Sequence, residues 1–498
     1  MSALKKSMAI GFLTQYAEML IQFAGMVVLA RIITSEEVGI FSVAAFLMAL
    51  LHVFRDFGVA KYIIQCDKLS TEGIRSALGV AILLAWTMAL VLLAISDSAA
   101  RFYDEPQVRS ILFVMAASFA VTPVGTVVGA IFRRDMQLKR LAAVRLSCVV
   151  VHVSVSLVLA MLGYGAMSLA WANFASIVMY AVVAAVLRPA WVSLVPSFHD
   201  VRDILSFGGI ASLGSSASVA GTNSPDVVIG KAISLTATGY FSRGNGLVQM
   251  FNTVIGNAIT PLILPYFSQL RRDKAEMIGP YNLAVTHLTG FAWPFFAVMA
   301  LLAFPLVRTM YGDNWDVSIP VVRILCLASM ISTLATFAAD IMIAYGHIKV
   351  VTKLQLLAQP VRIGAVICGS MYGIEGVAMA VVLAEAVALA FTSRLLYKTN
   401  GVPFAGVLRA TTVSAQVALI TATGPALVVL FWPRGYLPWL ELVLGGSVAL
   451  CGWLLAVIVV RHPIRAHLEQ AQRRFWPGSP SDNTPALPRH ASEVKEKL

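Results

Sequence analysis

The residues of this chain that could do chemistry are charged and amide side chains embedded in apolar sequence. Arg362 stands near the centre of one such stretch, with Gln355 and Gln359 on the same helical face and Pro360 beside it to kink the helix. Arg243 stands about one turn inside another stretch, followed at helical spacing by Asn245, Gln249 and Asn252. Gln15, Glu18 and Gln22 fall at i, i+3 and i+7 of the first stretch, and Ser212, Ser215 or Ser216 and Thr222 or Asn223 mark a face of its counterpart. An ionisable group at mid-bilayer costs roughly 2.5–3.5 kcal/mol even on lenient scales, so it is rarely idle. A guanidinium grips phosphate oxygens as a two-pronged fork, so Arg362 and Arg243 suit an anionic headgroup in a cationic cavity. Glu18, Asp340 and Glu385 are the carboxylates that could carry a coupling proton or sodium ion. The plainer alternatives are that the amides and hydroxyls only glue helices together, and that Arg362 simply pairs with Glu385. Arg31 and Lys231 suit interfacial anchors, and the isolated His152 and His287 suit packing.

Lipid is the solvent these residues imply. The chain is 58% hydrophobic, only 12% charged, and has a mean hydropathy of +0.81, whereas a soluble domain carries about 25% charged residues. At ~20 apolar residues per crossing, the sequence divides into fourteen spans: 9–32, 38–55, 76–96, 107–132, 141–162, 165–187, 207–224, 239–268, 280–304, 319–345, 350–371, 374–397, 406–431 and 438–460. The net charge of +12 fits topology better than nucleic acid. With the N-terminus cytoplasmic, most of the 37 Lys and Arg residues fall on inner segments. Only Arg31, Arg101, Arg109, Lys231, Arg308, Arg323 and Arg434 fall on outer ones, so both termini are expected inside. Lys5 and Lys6 before an apolar run resemble a signal peptide, but the run is too long and too polar, and an uncleaved first span is expected. The five cysteines have no metal or CxxC spacing and suit packing.

The chain also repeats itself. Ala30-Arg-Ile-Ile-Thr-Ser-Glu-Glu-Val-Gly-Ile-Phe-Ser42 returns as Gly230-Lys-Ala-Ile-Ser-Leu-Thr-Ala-Thr-Gly-Tyr-Phe-Ser242, so that Ile33, Gly39, Phe41 and Ser42 meet Ile233, Gly239, Phe241 and Ser242. Phe102-Tyr-Asp-Glu echoes Met310-Tyr-Gly-Asp, and Tyr164-Gly165 echoes Tyr372-Gly373. Six spans therefore repeat as six in the same orientation, with the cleft between the halves as the expected substrate site. The expected fold is an all-α polytopic membrane protein of about fourteen transmembrane helices, with two parallel six-helix repeats related by a pseudo-two-fold axis in a V shape. The expected parts are a six-helix lobe at 1–188, a cytoplasmic linker at 189–206, a second six-helix lobe at 207–398, two further helices at 399–461 and a disordered cytoplasmic tail at 462–498.

No phosphate-cradling Gly loop, HExxH or nucleophile elbow is present, and the outer segments are short, which speaks against an enzyme. The stretch from Leu29 to Phe41, with Asp56-Phe-Gly, Thr238-Gly-Tyr-Phe-Ser-Arg243 and Tyr311-Gly-Asp-Asn-Trp315, resembles the polysaccharide transporter family. That family consists of bacterial flippases within the multidrug/oligosaccharidyl-lipid/polysaccharide exporter superfamily, and the resemblance covers about residues 1 to 460. It implies inner-membrane, alternating-access flipping of an undecaprenyl-diphosphate-linked oligosaccharide repeat unit for exopolysaccharide, capsule or O-antigen biosynthesis. It also implies a cationic central cavity and ion coupling that varies. Only Arg243 lies within a matching motif. The implied partners are the lipid-linked oligosaccharide and membrane lipids, with a polysaccharide polymerase and export machinery left open; nucleic acid is not among them. No cofactor is expected beyond a coupling proton or sodium ion. Two other readings compete, a cation-coupled multidrug exporter of the same superfamily and a membrane-embedded polymerase or transferase. The Arg-bearing stripes and the extra helix pair disfavour the first, and the short outer segments disfavour the second.

Overall fold

A computed structural model describes residues 2–55, 58–66, 69–199, 201, 204, 209–433 and 436–466. Within helices, the side chains of 2–10, 12, 209–213, 215 and 251–262 are not described. Asp56, Phe57, Lys68, Arg202, Arg434 and the chain from 467 onward therefore lie outside the described residues, as do the side chains of Lys5, Lys6, Ser212, Ser215 and Asn252.

The described residues form eighteen α-helices and no strand, as a chain in lipid must if every backbone group is to be bonded within its own segment. The first half comprises α1 (Ser2–Leu29), α2 (Ser35–Arg55), α3 (Val59–Gln65), α4 (Thr71–Tyr103), α5 (Pro106–Arg134), α6 (Leu138–Met161) and α7 (Ala166–Leu187). The second comprises α8 (Gly209–Thr222), α9 (Ser224–Ala232), α10 (Leu235–Arg272), α11 (Ile278–Leu301), α12 (Ala303–Tyr311), α13 (Ser318–Thr333), α14 (Ala338–Ala344), α15 (Ile348–Ser370) and α16 (Gly373–Asn400). Two more follow, α17 (Phe404–Phe431) and α18 (Pro438–Val459). Every expected span coincides with one helix or a broken pair. Among the described residues, eleven segments are long and apolar enough to cross a membrane, and the chain is a multi-pass membrane protein.

Two expected features are corrected. The seventh span, 207–224, is α8 alone, and the interval left before the eighth span holds a further helix, α9, which Asn223-Ser224-Pro225 restarts with proline in its first turn. The loop expected at 305–318 is folded as α12 and a short 3-10 turn at Asp313–Trp315.

Packing repeats as the sequence does. In the first half α1 lies on α6, α4 on α5, α5 on α7, and α6 on α7; in the second α8 lies on α15, α11 on α13, α13 on α16, and α15 on α16. The halves join chiefly through α2 against α10, which are repeat partners. Segment 189–199 is tied to the first half, where Ser197 N–H donates to the Arg75 carbonyl (2.9 Å). The two added helices dock on the second half, α17 along α11 and α18 against α12 and α17.

That docking carries a buried polar network. Thr289 Oγ1 donates to Ser414 Oγ (2.9 Å), Ser414 Oγ lies 3.1 Å from His462 Nε2, and Trp453 Nε1 donates to the Gly290 carbonyl (3.0 Å). His462 is buried against Gly290, where a side chain would strike its ring. The expectation of a disordered tail from 462 is thus corrected for 462–466, because the His462 ring fills a space that glycine leaves open. Burial pushes the His462 imidazole down to about 4, with the nearby His287 pushing the same way.

Candidate functional site

Two constellations sit between or beside the halves. The first is a seam at the end of the bundle that bears the repeated motif. Local sequence sets it up. Thr34 and Glu37 form a capping box at the start of α2, with Glu37 N–H donating to Thr34 Oγ1 (3.3 Å) and Thr34 N–H to Glu37 Oε2 (2.8 Å). Ser234 caps α10 at the equivalent place, accepting from Ala237 N–H (3.0 Å). The two capped helices then cross at their first turns.

The two backbone approaches and the hydroxyl pair there are answered by their repeat partners. A Cβ on Gly39 would strike the Leu235 carbonyl oxygen, and one on Gly239 would strike the Ser35 carbonyl oxygen. Ser42 Oγ donates to Ser242 Oγ (2.9 Å) across 200 residues of sequence. Arg31 Nη2 reaches the Thr309 carbonyl in the second half (3.0 Å), while Lys231 Nζ reaches Asp104 in the first (3.6 Å) and lies over the Phe102 ring. Arg31 and Lys231 are therefore clasps between halves. Trp315 adds an apolar plug, almost fully buried, with its indole N–H on the Ala30 carbonyl (2.8 Å). Arg308 holds the plug's loop through Asp316 (2.6 Å), and that partner raises the Arg308 pKa further.

The second constellation is a cavity of about 50 Å3 inside the second half, lined by Thr222, Asn245, Gln249, Arg362 and Glu385 among others. It brings together side chains from α8, α10, α15 and α16. At ~10–15 Å3 per water, it holds a few waters and no sugar. Arg362 Nη1 donates to Glu385 Oε1 at 2.8 Å, with the two side chains only 18% and 21% exposed. Arg362 Nε is buried and has no hydrogen-bond partner among the described residues.

Other singled-out residues sit elsewhere. Gln355 and Gln359 of α15 pack against Gly214 and Gly221 of α8, which have no side chain to keep them away. Arg243 does not line the cavity. Its guanidinium lies 5.8 Å from the Trp315 ring beneath the seam, its Nε is buried without a hydrogen-bond partner, and it makes no ion pair among the described residues. Glu18 is buried on α1 and paired at 2.7 Å with Arg145 of α6, while Gln15 is half-buried and Gln22 exposed. Asp340 is half-buried in α14. The expected common face of α1, α8, α10 and α15 thus divides: α8, α10 and α15 share the cavity, whereas α1 turns its carboxylate to α6.

Sequence reasoning passed over Arg145, counted among topological cations, and Asp226. One carboxylate oxygen of Asp226 is buried without a hydrogen-bond partner just after the α8–α9 break. Its signal was the polar run Asn223-Ser-Pro-Asp226 at the end of an apolar stretch. Among the described residues, no cluster of three His, Cys, Asp or Glu side chains offers ligands to a metal ion.

Residues 28–320, more than half the chain, match the family described as "Polysaccharide biosynthesis protein". The chain belongs to that family. This chain is 25% identical over 419 residues to the succinoglycan biosynthesis transport protein ExoT of Rhizobium meliloti (strain 1021), covering 82% of this chain and 83% of that one. It is 21% identical over 377 residues to the lipopolysaccharide biosynthesis protein WzxC of Escherichia coli (strain K12), covering 72% and 74%. In fold it is similar to the lipid II flippase MurJ in an inward closed conformation, with a TM-score of 0.72 at 13% identity over 91% of this chain and 99% of that one. It is also similar to an inward-facing multidrug resistance MATE transporter of the MOP superfamily, with a TM-score of 0.58 at 17% identity over 79% and 94%.

Proposed function

We propose that this protein flips an undecaprenyl-diphosphate-linked oligosaccharide repeat unit from the cytoplasmic to the periplasmic leaflet of a bacterial inner membrane, for exopolysaccharide, capsule or O-antigen assembly. The observation that carries the reading is an arginine-bearing cavity among the apolar helices of one half, with the two halves clasped at one end. The relatives ExoT, a succinoglycan biosynthesis transport protein, and WzxC, a lipopolysaccharide biosynthesis protein, support the pathway class. Charge topology supports placing the clasped end in the periplasm and both termini in the cytoplasm.

In this reading the conformation is sealed toward the periplasm. The headgroup enters from the cytoplasmic side and the cavity widens to admit it. Arg362 takes the anionic group with Asn245 and Gln249 beside it, and Arg243 waits beneath the seam. The seam then parts and the cytoplasmic side closes. A proton or sodium ion drives the cycle, with Asp340, Glu18 and Glu385 as the carboxylates that can carry it. Glu18 and Glu385 must leave arginine partners to do so, whereas Asp340 makes no ion pair among the described residues. In inverted membrane vesicles, radiolabelled lipid-linked repeat units should become protected inside the lumen only when the protein is present. Equal exposure with and without it would remove the flippase reading.

Glu385 in the cavity wall favours a second reading, export of cationic drugs with ion coupling. That reading predicts a deletion strain hypersensitive to several cationic drugs with polymer export intact.

A further inference from the structure

The ion pair in the cavity has two features that a purely structural pair would lack. It is under-satisfied: one guanidinium nitrogen meets one carboxylate oxygen, and the Nε of the same fork is buried with no partner. A guanidinium offers five donors, and a well-built buried pair uses two in parallel. It also borders open space, since both members line the cavity. Arg362 is therefore neutralised but not saturated, and it borders a space that can admit a ligand once the cavity widens and frees its donors.

We propose that Glu385 is a resident counter-ion that competes with the oxyanion of the substrate for Arg362. The inference rests on the anion-binding reading of the cavity given above. In the empty, sealed carrier Glu385 holds the charge of Arg362 in check, so that an unpaired cation is not carried through a closed low-dielectric interior. A diphosphate brings more oxygens and more negative charge than one carboxylate, so it takes the fork in both prongs and Glu385 swings off. Once the site opens to water, the carboxylate returns and helps expel the product. Among the described residues, neighbouring helices supply no further ion-pair partner for the two. Arg243 of α10 lies under Trp315, Asp226 of α9 makes no ion pair among the described residues, and Gln359 of α15 faces Gly221. A carboxylate that weakens binding at its own site is the expected device where a tightly held substrate would otherwise never leave.

Equilibrium binding to the purified full-length protein in detergent tests this. The probes are undecaprenyl diphosphate, free glucuronate and uncharged undecaprenol, which separate a lipid diphosphate from an acidic sugar and from the tail alone. Glu385→Gln, which keeps the shape and removes the charge, should bind undecaprenyl diphosphate about tenfold tighter than wild type (roughly 1.4 kcal/mol) while releasing it more slowly. Glu385→Asp, too short to hold the 2.8 Å contact, should shift affinity the same way by a smaller factor, which keeps the test open if the Gln variant does not fold. Arg362→Ala should lose the diphosphate probe and leave undecaprenol unaffected. A preference for glucuronate with the same ordering of variants would assign the oxyanion to the sugar. Wild-type binding lost in Arg362→Ala but unchanged or weakened in both Glu385 variants would overturn the counter-ion role alone. No binding of either anion by folded wild-type protein would overturn the anion-binding reading as well.

Discussion

At the scale of single residues, Gly39 and Gly239 do what no other residue could. Each lets a backbone carbonyl of the opposing helix approach to where a side chain would begin, close enough for weak Cα–H···O contact. Their repetition was visible in the sequence, as was the repetition of Ser42. That the two copies touch one another was not, because self-similarity along a chain says nothing of adjacency. The Arg362–Glu385 pair was foreseen as one of two alternatives, whereas Arg145 was hidden among cations that topology already explained. Gly39→Ala should force α2 and α10 apart at their first turns at a cost of about 1–3 kcal/mol, the usual penalty for an overpacked contact. A cysteine at Ser42 should then react several-fold faster with a membrane-impermeant maleimide; unchanged reactivity would mean that the helices slide past one another and stay closed.

At the scale of elements, the membrane-length helices were legible because apolar length in lipid leaves few alternatives. The breaks were less so. Asn223-Ser224-Pro225 ends α8 and opens α9, yet Pro294, Pro360 and Pro425 remain inside continuous helices, so proline alone does not announce where a helix stops. The docking of α18 was illegible for another reason: His462 reads as the start of a polar tail until the hollow over Gly290 is seen. Its folded pKa lies below the ordinary value of 6.5, at about 4. The neutral ring is thus the one the fold prefers, so its contribution is complete above pH 6.5 and is lost as pH falls toward 4. Melting of the wild type should weaken between pH 6.5 and 4 by about 2 kcal/mol more than that of His462→Gln, which keeps a hydrogen bond to Ser414 without a titrating ring. Parallel pH profiles for the two proteins would remove His462 as the cause.

At the scale of the molecule, the halves are joined by clasps that can part: one hydroxyl pair, two backbone approaches, two long cations and a plug. Apolar residues from both halves, among them Ala30, Val38, Phe241 and Trp315, surround them in a single cluster, so the seam closes dry although its specific bonds are few. If transport requires this end to open, Ser42→Cys with Ser242→Cys should stop flipping on oxidation and regain it on reduction. Each single cysteine should transport under both conditions. Continued transport by the cross-linked protein would mean that the substrate leaves by another route.

The reciprocity of the seam bears on ancestry. When residue i of one unit meets j of another while j meets i, the surface is self-complementary, as in a two-fold homodimer. Gly39 against Ser35's counterpart, Gly239 against Ser35, and Ser42 against its own image are the contacts by which two copies of one six-helix protein would recognise each other. On that view the stretch from residue 189 onward tied together two subunits that already met, and the twin glycines mark where a protein once had to find its mate.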